Sequence, residues 1–163
     1  EGTYLLPEAQ LDRFMMKFSL GYPDFDNEIK MIQLQAQKHP LESLRPVTNV
    51  KRMEEIQRRI RNLHIDESVL GYIVEISRKT REHPGVMLGA SPRATLALVD
   101  AAKAYAFLNG RDFVLPDDVK YLVPYVFRHR LLLNTDARMD GKTPDSVLSD
   151  VLEQVKVPVR LEN

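Results

Sequence analysis

The sequence has no cysteine and no tryptophan among its 163 residues, and neither sign of charge prevails, with 23 basic and 23 acidic side chains. The absence of cysteine excludes disulfide bonds, thiol nucleophiles and cysteine-ligated metal sites. The balanced charge gives no overall attraction to nucleic acid or to an acidic membrane surface. No apolar run approaches the ~18 residues of a membrane-spanning helix, and no signal-peptide pattern opens the chain. We therefore expect a cytoplasmic globular protein.

The motifs of several enzyme classes are missing as well. There is no phosphate loop of the form GxxxxGK followed by Ser or Thr, no GxSxG nucleophile motif and no HExxH zinc motif. The histidines are scattered without ligand spacing, so no metal site is expected. His129, between two arginines, is interpreted as a solvated or capping side chain. The chain opens without an initiator methionine, which we interpret as the mark of a piece of a longer protein; any primary nucleotide site would lie elsewhere in it.

Apolar residues recur at helical spacing through most of the chain, with start and stop signals between them. Asp66 can cap one helix, and Pro116 and Pro144 suit first helical positions. A short helix is expected to begin at Pro7 and Glu8. The longer predicted helices cover residues 24–37, 50–62, a segment after Asp66, 92–109, a segment from 116 and a segment from 143. These signals predict a mainly α fold.

Strand signals are few. Residues 15–20 could form one strand, while residues 47–48, 63–65 and 113–115 suffice only for a small accessory sheet. Because residues 15–20 lack a partner strand of similar length, we expect them to belong to a sheet whose remainder is missing. Residues 134–142 are polar and contain glycine, which predicts a mobile loop.

The stretch Gly89-Ala90-Ser91-Pro92-Arg93 carries the clearest signal of a binding site. Ser91 is a good N-cap and Pro92 fits the first helical position, which places Arg93 in the first turn. A cation there opposes the helix dipole by about 0.3–1 kcal/mol. Either Arg93 is solvated at a trivial penalty, or it binds an anion such as phosphate together with the free backbone N–H groups. Gly89 and Ala90 would permit close approach. Local physics leaves both interpretations open.

Two other basic features have ordinary structural explanations. Arg13 stands at the end of the short helix that begins at Pro7, where arginine is favourable, and Asp12 could pair with it. The predicted helix 50–62 carries a basic face, diluted by acidic neighbours and without interleaved aromatic residues, so a solvated face is favoured over nucleic-acid contact. That face is formed by Arg58, Arg59 and Arg61.

Both arginine-bearing segments resemble MoxR-family AAA+ ATPases. The segment from Glu1 to Phe14 is similar to the one that follows the sensor 1 asparagine in that family, with Leu5 where the family usually has proline in a turn. The resemblance covers nearly the whole chain. It continues through Gly21-Tyr22-Pro23, Thr80-Arg81-Glu82-His83-Pro84, Gly89-Ala90-Ser91-Pro92-Arg93-Ala94, Pro116-Asp117-Asp118-Val119 and Arg128-His129-Arg130-Leu131.

The resemblance implies that residues 1–22 are the end of the AAA+ α/β core and that residues 23–163 are the helical lid domain. Arg13 corresponds to the arginine finger of the family and Arg93 to its sensor 2 arginine, with Ser91 beside it at the nucleotide. The Walker motifs and sensor 1 would precede Glu1, so the chain alone is expected to be inactive. ATP and Mg²⁺ would be the cofactors of the complete ATPase.

The resemblance also implies partners. Such ATPases form rings, commonly hexamers, and act in chaperone-like maturation or activation of proteins that often carry a von Willebrand factor A domain. Neither a membrane span nor a nucleic-acid partner is expected. Two alternatives come from other classes: a stand-alone helical protein-interaction module in which Arg13 and Arg93 are ordinary surface residues, and a helical nucleic-acid-binding domain that uses the face around Arg58.

Overall fold

The fold is mainly helical, as the apolar spacing predicted. The computed structural model describes residues 6–37 and 40–158. In chain order its elements are α1 (Glu8–Leu11), α2 (Phe25–Gln37), a 3₁₀ turn (Pro40–Ser43), α3 (Val50–Arg61), α4 (Glu67–Glu82), β1 (Val86–Leu88), α5 (Pro92–Leu108), α6 (Pro116–Phe127), a second 3₁₀ turn (Arg128–Arg130), β2 (Leu132–Leu133), α7 (Thr135–Met139) and α8 (Pro144–Gln154). The chain divides into two compact units, one of residues 18–58 and a larger one of the residues on either side.

The larger unit is built around α4, α5, α6 and α8. Helix α5 packs on α4 and α6, and α8 packs on the same two helices. Each contributes large buried side chains, exemplified by Ile73, Leu98, Phe127 and Leu148. Burial of one such side chain stabilises the fold by about 1.5–3 kcal/mol. This core fixes the start of α5 and the end of α6.

The helix starts predicted from the sequence are confirmed by their hydrogen bonds. The Asp66 carboxylate accepts a bond from the backbone N–H of Ser68 at 2.9 Å. The Thr143 hydroxyl accepts one from the N–H of Ser146 at 3.1 Å. These side chains satisfy donors that the first turn of a helix leaves free, which explains why α4 and α8 begin where they do.

The only sheet within the described residues is small, and its strands were not predicted. Strands β1 and β2 pair antiparallel, with Val86 opposite Leu133. Of the segments expected to form a small accessory sheet, 63–65 and 113–115 meet in a single parallel bridge between His64 and Phe113. Strands of two and three residues are too short to show the alternation by which a strand is recognised.

Neither residues 15–20 nor residues 47–48 form a strand in the structure. The strand expected at 47–48 is wrong, whereas the one at 15–20, expected to pair with strands outside this chain, stays a prediction. A strand needs a neighbour that shares its backbone hydrogen bonds, and the described residues offer residues 15–20 none. Instead, the N–H of Lys17 donates to the carbonyl oxygen of Tyr125 at 2.8 Å, within the larger unit.

The loop expected at residues 134–142 is also wrong, because this segment contains α7. Asn134 caps that helix, its side-chain oxygen accepting from the N–H of Ala137 at 2.9 Å. Ala137 is buried, so the short helix is held to the core despite its polar composition.

The smaller unit contains α2 and most of α3. Asp24 and Asn49 precede these helices, and each side chain accepts a backbone hydrogen bond of 2.9 Å from the first turn. None of the side chains described between residues 18 and 58 is buried.

In the described parts of the chain, no helix is long and apolar enough to cross a bilayer.

Candidate functional site

The start of α5 has the geometry that the sequence predicts. Ser91 is the N-cap, with its hydroxyl oxygen accepting from the N–H of Ala94 at 3.2 Å, and Pro92 takes the first helical position. Arg93 follows in the first turn, with 55% of its side chain exposed. The cation therefore lies at the positive end of the helix dipole, where only an anion can compensate it.

The loop before α5 is bonded to the end of α4. The N–H of Ala90 donates to the Thr80 hydroxyl at 2.9 Å, and the Arg81 Nε donates to the Ala90 carbonyl at 2.7 Å. A Cβ at Gly89 would come within 2.7 Å of the Arg81 backbone. The close approach that Gly89 permits is therefore between two segments of this chain, and the space predicted for an anion there is filled.

An anion does lie at the start of α5, and it is the carboxylate of Asp12. The Ser91 hydroxyl donates to the two carboxylate oxygens at 2.8 and 3.1 Å. Arg130 Nε approaches one oxygen at 3.2 Å, and Arg93 Nη1 approaches the other at 3.6 Å. The expected pairing of Asp12 with Arg13 is replaced by this cluster, which joins α1 to α5.

Arg130 is the buried centre of the cluster, with 2% of its side chain exposed. Besides Asp12, it donates to the backbone carbonyl oxygens of Phe14 at 2.6 Å and Met15 at 3.2 Å. It also donates to that of Val126 at the end of α6. Burial lowers the pKa of Arg130, and the charge of Asp12 acts in the opposite direction. The many partners keep this guanidinium charged and fixed, because a buried charge is tolerated only when it is paired and hydrogen-bonded.

His129 supports the same segment from a neighbouring position. Its Nε2 donates to the Phe14 carbonyl oxygen at 2.9 Å, while its buried Nδ1 has no hydrogen-bond partner among the described residues. Burial lowers the pKa of His129, and the bond to Phe14 offsets part of that effect. A neutral ring with its proton on Nε2 satisfies this geometry, since a carbonyl can only accept. His129 is thus an anchoring side chain.

Arg13 lies in the turn directly after α1 and has an exposed side chain, with its own N–H bonded to the Gln10 carbonyl at 3.1 Å. It forms no ion pair with any residue that the structure describes. The structure thus gathers Ser91 and Arg93 around Asp12, and it leaves the guanidinium of Arg13 outside that cluster. Asp12 and Arg130 were not identified as site residues, because the contact between them joins positions 118 residues apart.

The chain is similar to known proteins in sequence and in fold. The AAA lid domain family matches residues 78–151. A crystal structure of a candidate ATPase from Cytophaga hutchinsonii has a TM-score of 0.88 at 34% identity, over 98% of this chain and 51% of that one. Chaperone MoxR1 of Mycobacterium tuberculosis is 37% identical over 168 residues, or 97% of this chain and 44% of the relative. Over nearly its whole length, the chain is thus similar to proteins of the MoxR family of AAA+ ATPases.

Another relative, the uncharacterized protein YeaC of Bacillus subtilis, is 47% identical over 160 residues, which are 98% of this chain and 50% of YeaC. The chain therefore spans about half the length of the curated relatives it matches. The region that matches the AAA lid contains Ser91, Arg93 and Arg130, whereas Asp12 and Arg13 precede it.

AAA+ ATPases such as the MoxR family generally use a nucleotide with Mg²⁺ and are generally oligomeric. The start of α5 presents a hydroxyl and two guanidinium groups of the kind that bind anions, and these groups hold the carboxylate of Asp12. The described residues do not provide a comparable set of ligands for Mg²⁺. Among them, no three His, Asp or Glu side chains lie close enough together to hold a metal ion. The described residues thus offer anion-binding groups and no cluster of metal ligands.

Proposed function

We propose that this chain is the C-terminal portion of a MoxR-like ATPase, with residues 1–22 from the end of the α/β core and residues 23–163 as the lid domain. The complete protein would couple ATP binding and hydrolysis to chaperone-like remodelling or activation of partner proteins. The chain contains no phosphate loop, so its own residues would complete a nucleotide site built mainly by others. The chain alone would not hydrolyse ATP.

The carboxylate at the start of α5 is the observation that carries the proposal. Ser91 and Arg93 contact the Asp12 carboxylate, which is an anion. A phosphate offers the same kind of acceptor oxygens with more negative charge. Arg93 would contact phosphate and Ser91 would keep the first turn of α5 in place. Because α5 belongs to the core of the larger unit, the contact would connect nucleotide occupancy to the position of the lid.

Arg13 would act as the arginine finger. It is exposed on a turn and its charge is not neutralised by any described neighbour, so it is available to another subunit. There it would stabilise the charge that develops on the γ-phosphate during transfer. This arrangement requires a ring of subunits, which we propose is a hexamer. We place it in the cytoplasm and propose that its partners carry a von Willebrand factor A domain. One relative is named a chaperone, which supports the remodelling role.

The test is a mixing experiment on the full-length protein. Arg13→Ala should lower kcat by on the order of 10³–10⁵ while nucleotide affinity changes little, because a finger acts on transition-state charge. A second variant would lack the lysine of the phosphate loop. Rings mixed from the two should regain ATPase activity, since some interfaces then combine an intact finger with an intact phosphate loop.

Arg128→Ala is the matched control, because Arg128 pairs with Asp145 at 2.6 Å outside the cluster. It should leave kcat within about two-fold, as expected for a pair exposed at the surface. Normal turnover by Arg13→Ala, or no recovery in rings whose mixing has been demonstrated by mass spectrometry, would contradict a finger that acts across a subunit boundary.

A further inference from the structure

Arg130 binds the backbone on both sides of Arg13. Its guanidinium donates to the carbonyl oxygens of Asp12, Phe14 and Met15, at distances between 2.6 and 3.2 Å. These three carbonyls bracket residue 13 in the sequence. The α1 helix that precedes them has four residues and no buried side chain, so it cannot fix the turn by itself.

The end of α6 supplies the rigid support for this arrangement. Arg130 lies in the 3₁₀ turn that continues from α6 and donates to the carbonyl of Val126 in that helix. Val126 and Phe127 are fully buried. Arg130 thus transmits the rigidity of the core to the backbone around Arg13, and His129 adds a bond of 2.9 Å to the Phe14 carbonyl.

The chemistry of the side chain explains why an arginine is used. A guanidinium presents five N–H donors in a fixed planar fork, whereas an ammonium is a compact charge with three donors on a flexible stem. A lysine at this position would keep the charge near Asp12 but could not hold several carbonyls at defined angles. We propose that Arg130 is the positioning residue for Arg13 in the ATPase reaction, an inference that rests on the role proposed for Arg13.

A residue that only joins α1 to the core would affect folding alone, so the test needs a readout specific to Arg13. In the full-length protein, Arg130→Lys should lower kcat by about 10- to 100-fold, the scale that a displacement of about 1 Å produces in a catalytic group. The dissociation constant for ADP should stay within about two-fold. Arg128→Lys, two residues away and outside the cluster, is the matched control and should keep full kcat.

The decisive measurement is the double variant. If Arg130 acts through Arg13, then adding Arg130→Lys to Arg13→Ala should not reduce kcat further, because no finger remains to be positioned. An equal additional loss in the double variant would overturn the proposal, and so would full kcat in Arg130→Lys alone. If Arg13→Ala itself keeps full kcat, the arginine finger is wrong, and that failure is distinct from the failure of this inference.

A variant at His129 covers the case in which Arg130→Lys does not fold. His129→Ala removes one bond to the Phe14 carbonyl and leaves Arg130 in place. It should lower kcat by a smaller factor, about two- to ten-fold, and lose this effect in the Arg13→Ala background. An unchanged kcat in His129→Ala, together with a thermal unfolding midpoint equal to that of the wild type, would count against the positioning role.

Discussion

The start of α5 carries Arg93, which lies near the Asp12 carboxylate, and the turn after α1 carries Arg13, which follows Asp12 in the sequence. The two regions are held in place in different ways. The start of α5 depends on its own N-cap, Ser91, and on bonds to the end of α4 about ten residues earlier. The turn after α1 depends on His129 and Arg130, which lie 115 to 118 residues further along the chain.

This difference separates two ways to hold a charged group. At α5 the cap and the bonds to α4 are local, and Ser91 adds one long-range partner, Asp12, so we expect a substitution there to have a small effect. At the turn after α1 one buried guanidinium supports several carbonyls and a carboxylate, so its loss removes a donor from all of these groups at once. The comparison therefore predicts large effects from the remote residue and small ones from the local cap.

The largest effect on stability is expected from Arg130→Met in this chain. It removes the buried partner of Asp12 and a donor to the carbonyls of Met15 and the buried Val126, which should lower the free energy of unfolding by about 2 to 4 kcal/mol. Urea denaturation followed by circular dichroism measures it. Arg128→Met, which removes an exposed pair, should cost less than about 1 kcal/mol. Equal losses of unfolding free energy in the two variants would contradict the special role of Arg130 in supporting the turn after α1.

A smaller effect is expected at the local cap. Ser91→Ala removes the bond to the N–H of Ala94 and the bonds to Asp12, and should lower the free energy of unfolding by about 0.5 to 2 kcal/mol. Arg93→Ala is the control, since its long contact to Asp12 at 3.6 Å opposes its unfavourable place in the helix dipole. The two contributions of Arg93 are each about 0.3–1 kcal/mol and should nearly cancel. A larger loss from Arg93→Ala than from Ser91→Ala in the same denaturation series would make Arg93 a structural residue.

The smallest effect concerns pH. Because the pKa of His129 is lowered in the folded chain, the unfolded chain binds its proton more tightly, and the stability that neutral His129 contributes is lost as the pH falls below about 6.5. From about pH 7.5 to about pH 5.5, the unfolding midpoint of the wild type should therefore fall more than that of His129→Gln, which keeps a donor for Phe14. Parallel curves for both proteins would show that His129 is not the group responsible.

The local features of the site could be predicted from the sequence, since they depend on neighbours along the chain. The sequence predicts Ser91 as the helix cap and Pro92 at the first helical position, and it therefore places Arg93 in the first turn. The helices α4, α6 and α8 were predictable for the same reason. The roles of Arg13, Ser91 and Arg93 toward a nucleotide stay predictions.

The features that failed depend on contacts that the sequence does not display. The sequence contains many acidic and basic residues, and nothing in it marks Asp12 and Arg130 as partners. Folding brings the Arg130 guanidinium within 3.2 Å of the Asp12 carboxylate. The segment 15–20 has the composition of a strand, but the described residues offer it no neighbouring strand. Asn134 marks a helix start as clearly as Ser91 does, but the polar residues that follow concealed α7, whose stability comes from the burial of Ala137.

The contact at Gly89 has a consequence for how this chain tolerates sequence change. The smallest possible side chain, a single methyl group, would meet the backbone of Arg81 at 2.7 Å, and backbone cannot swing aside as a flexible side chain can. At Gly71, in contrast, nothing lies within 4 Å of an added Cβ. Random mutagenesis would therefore recover many residues at position 71 and glycine alone at position 89, because every other residue would push the start of α5, and Arg93 with it, away from α4.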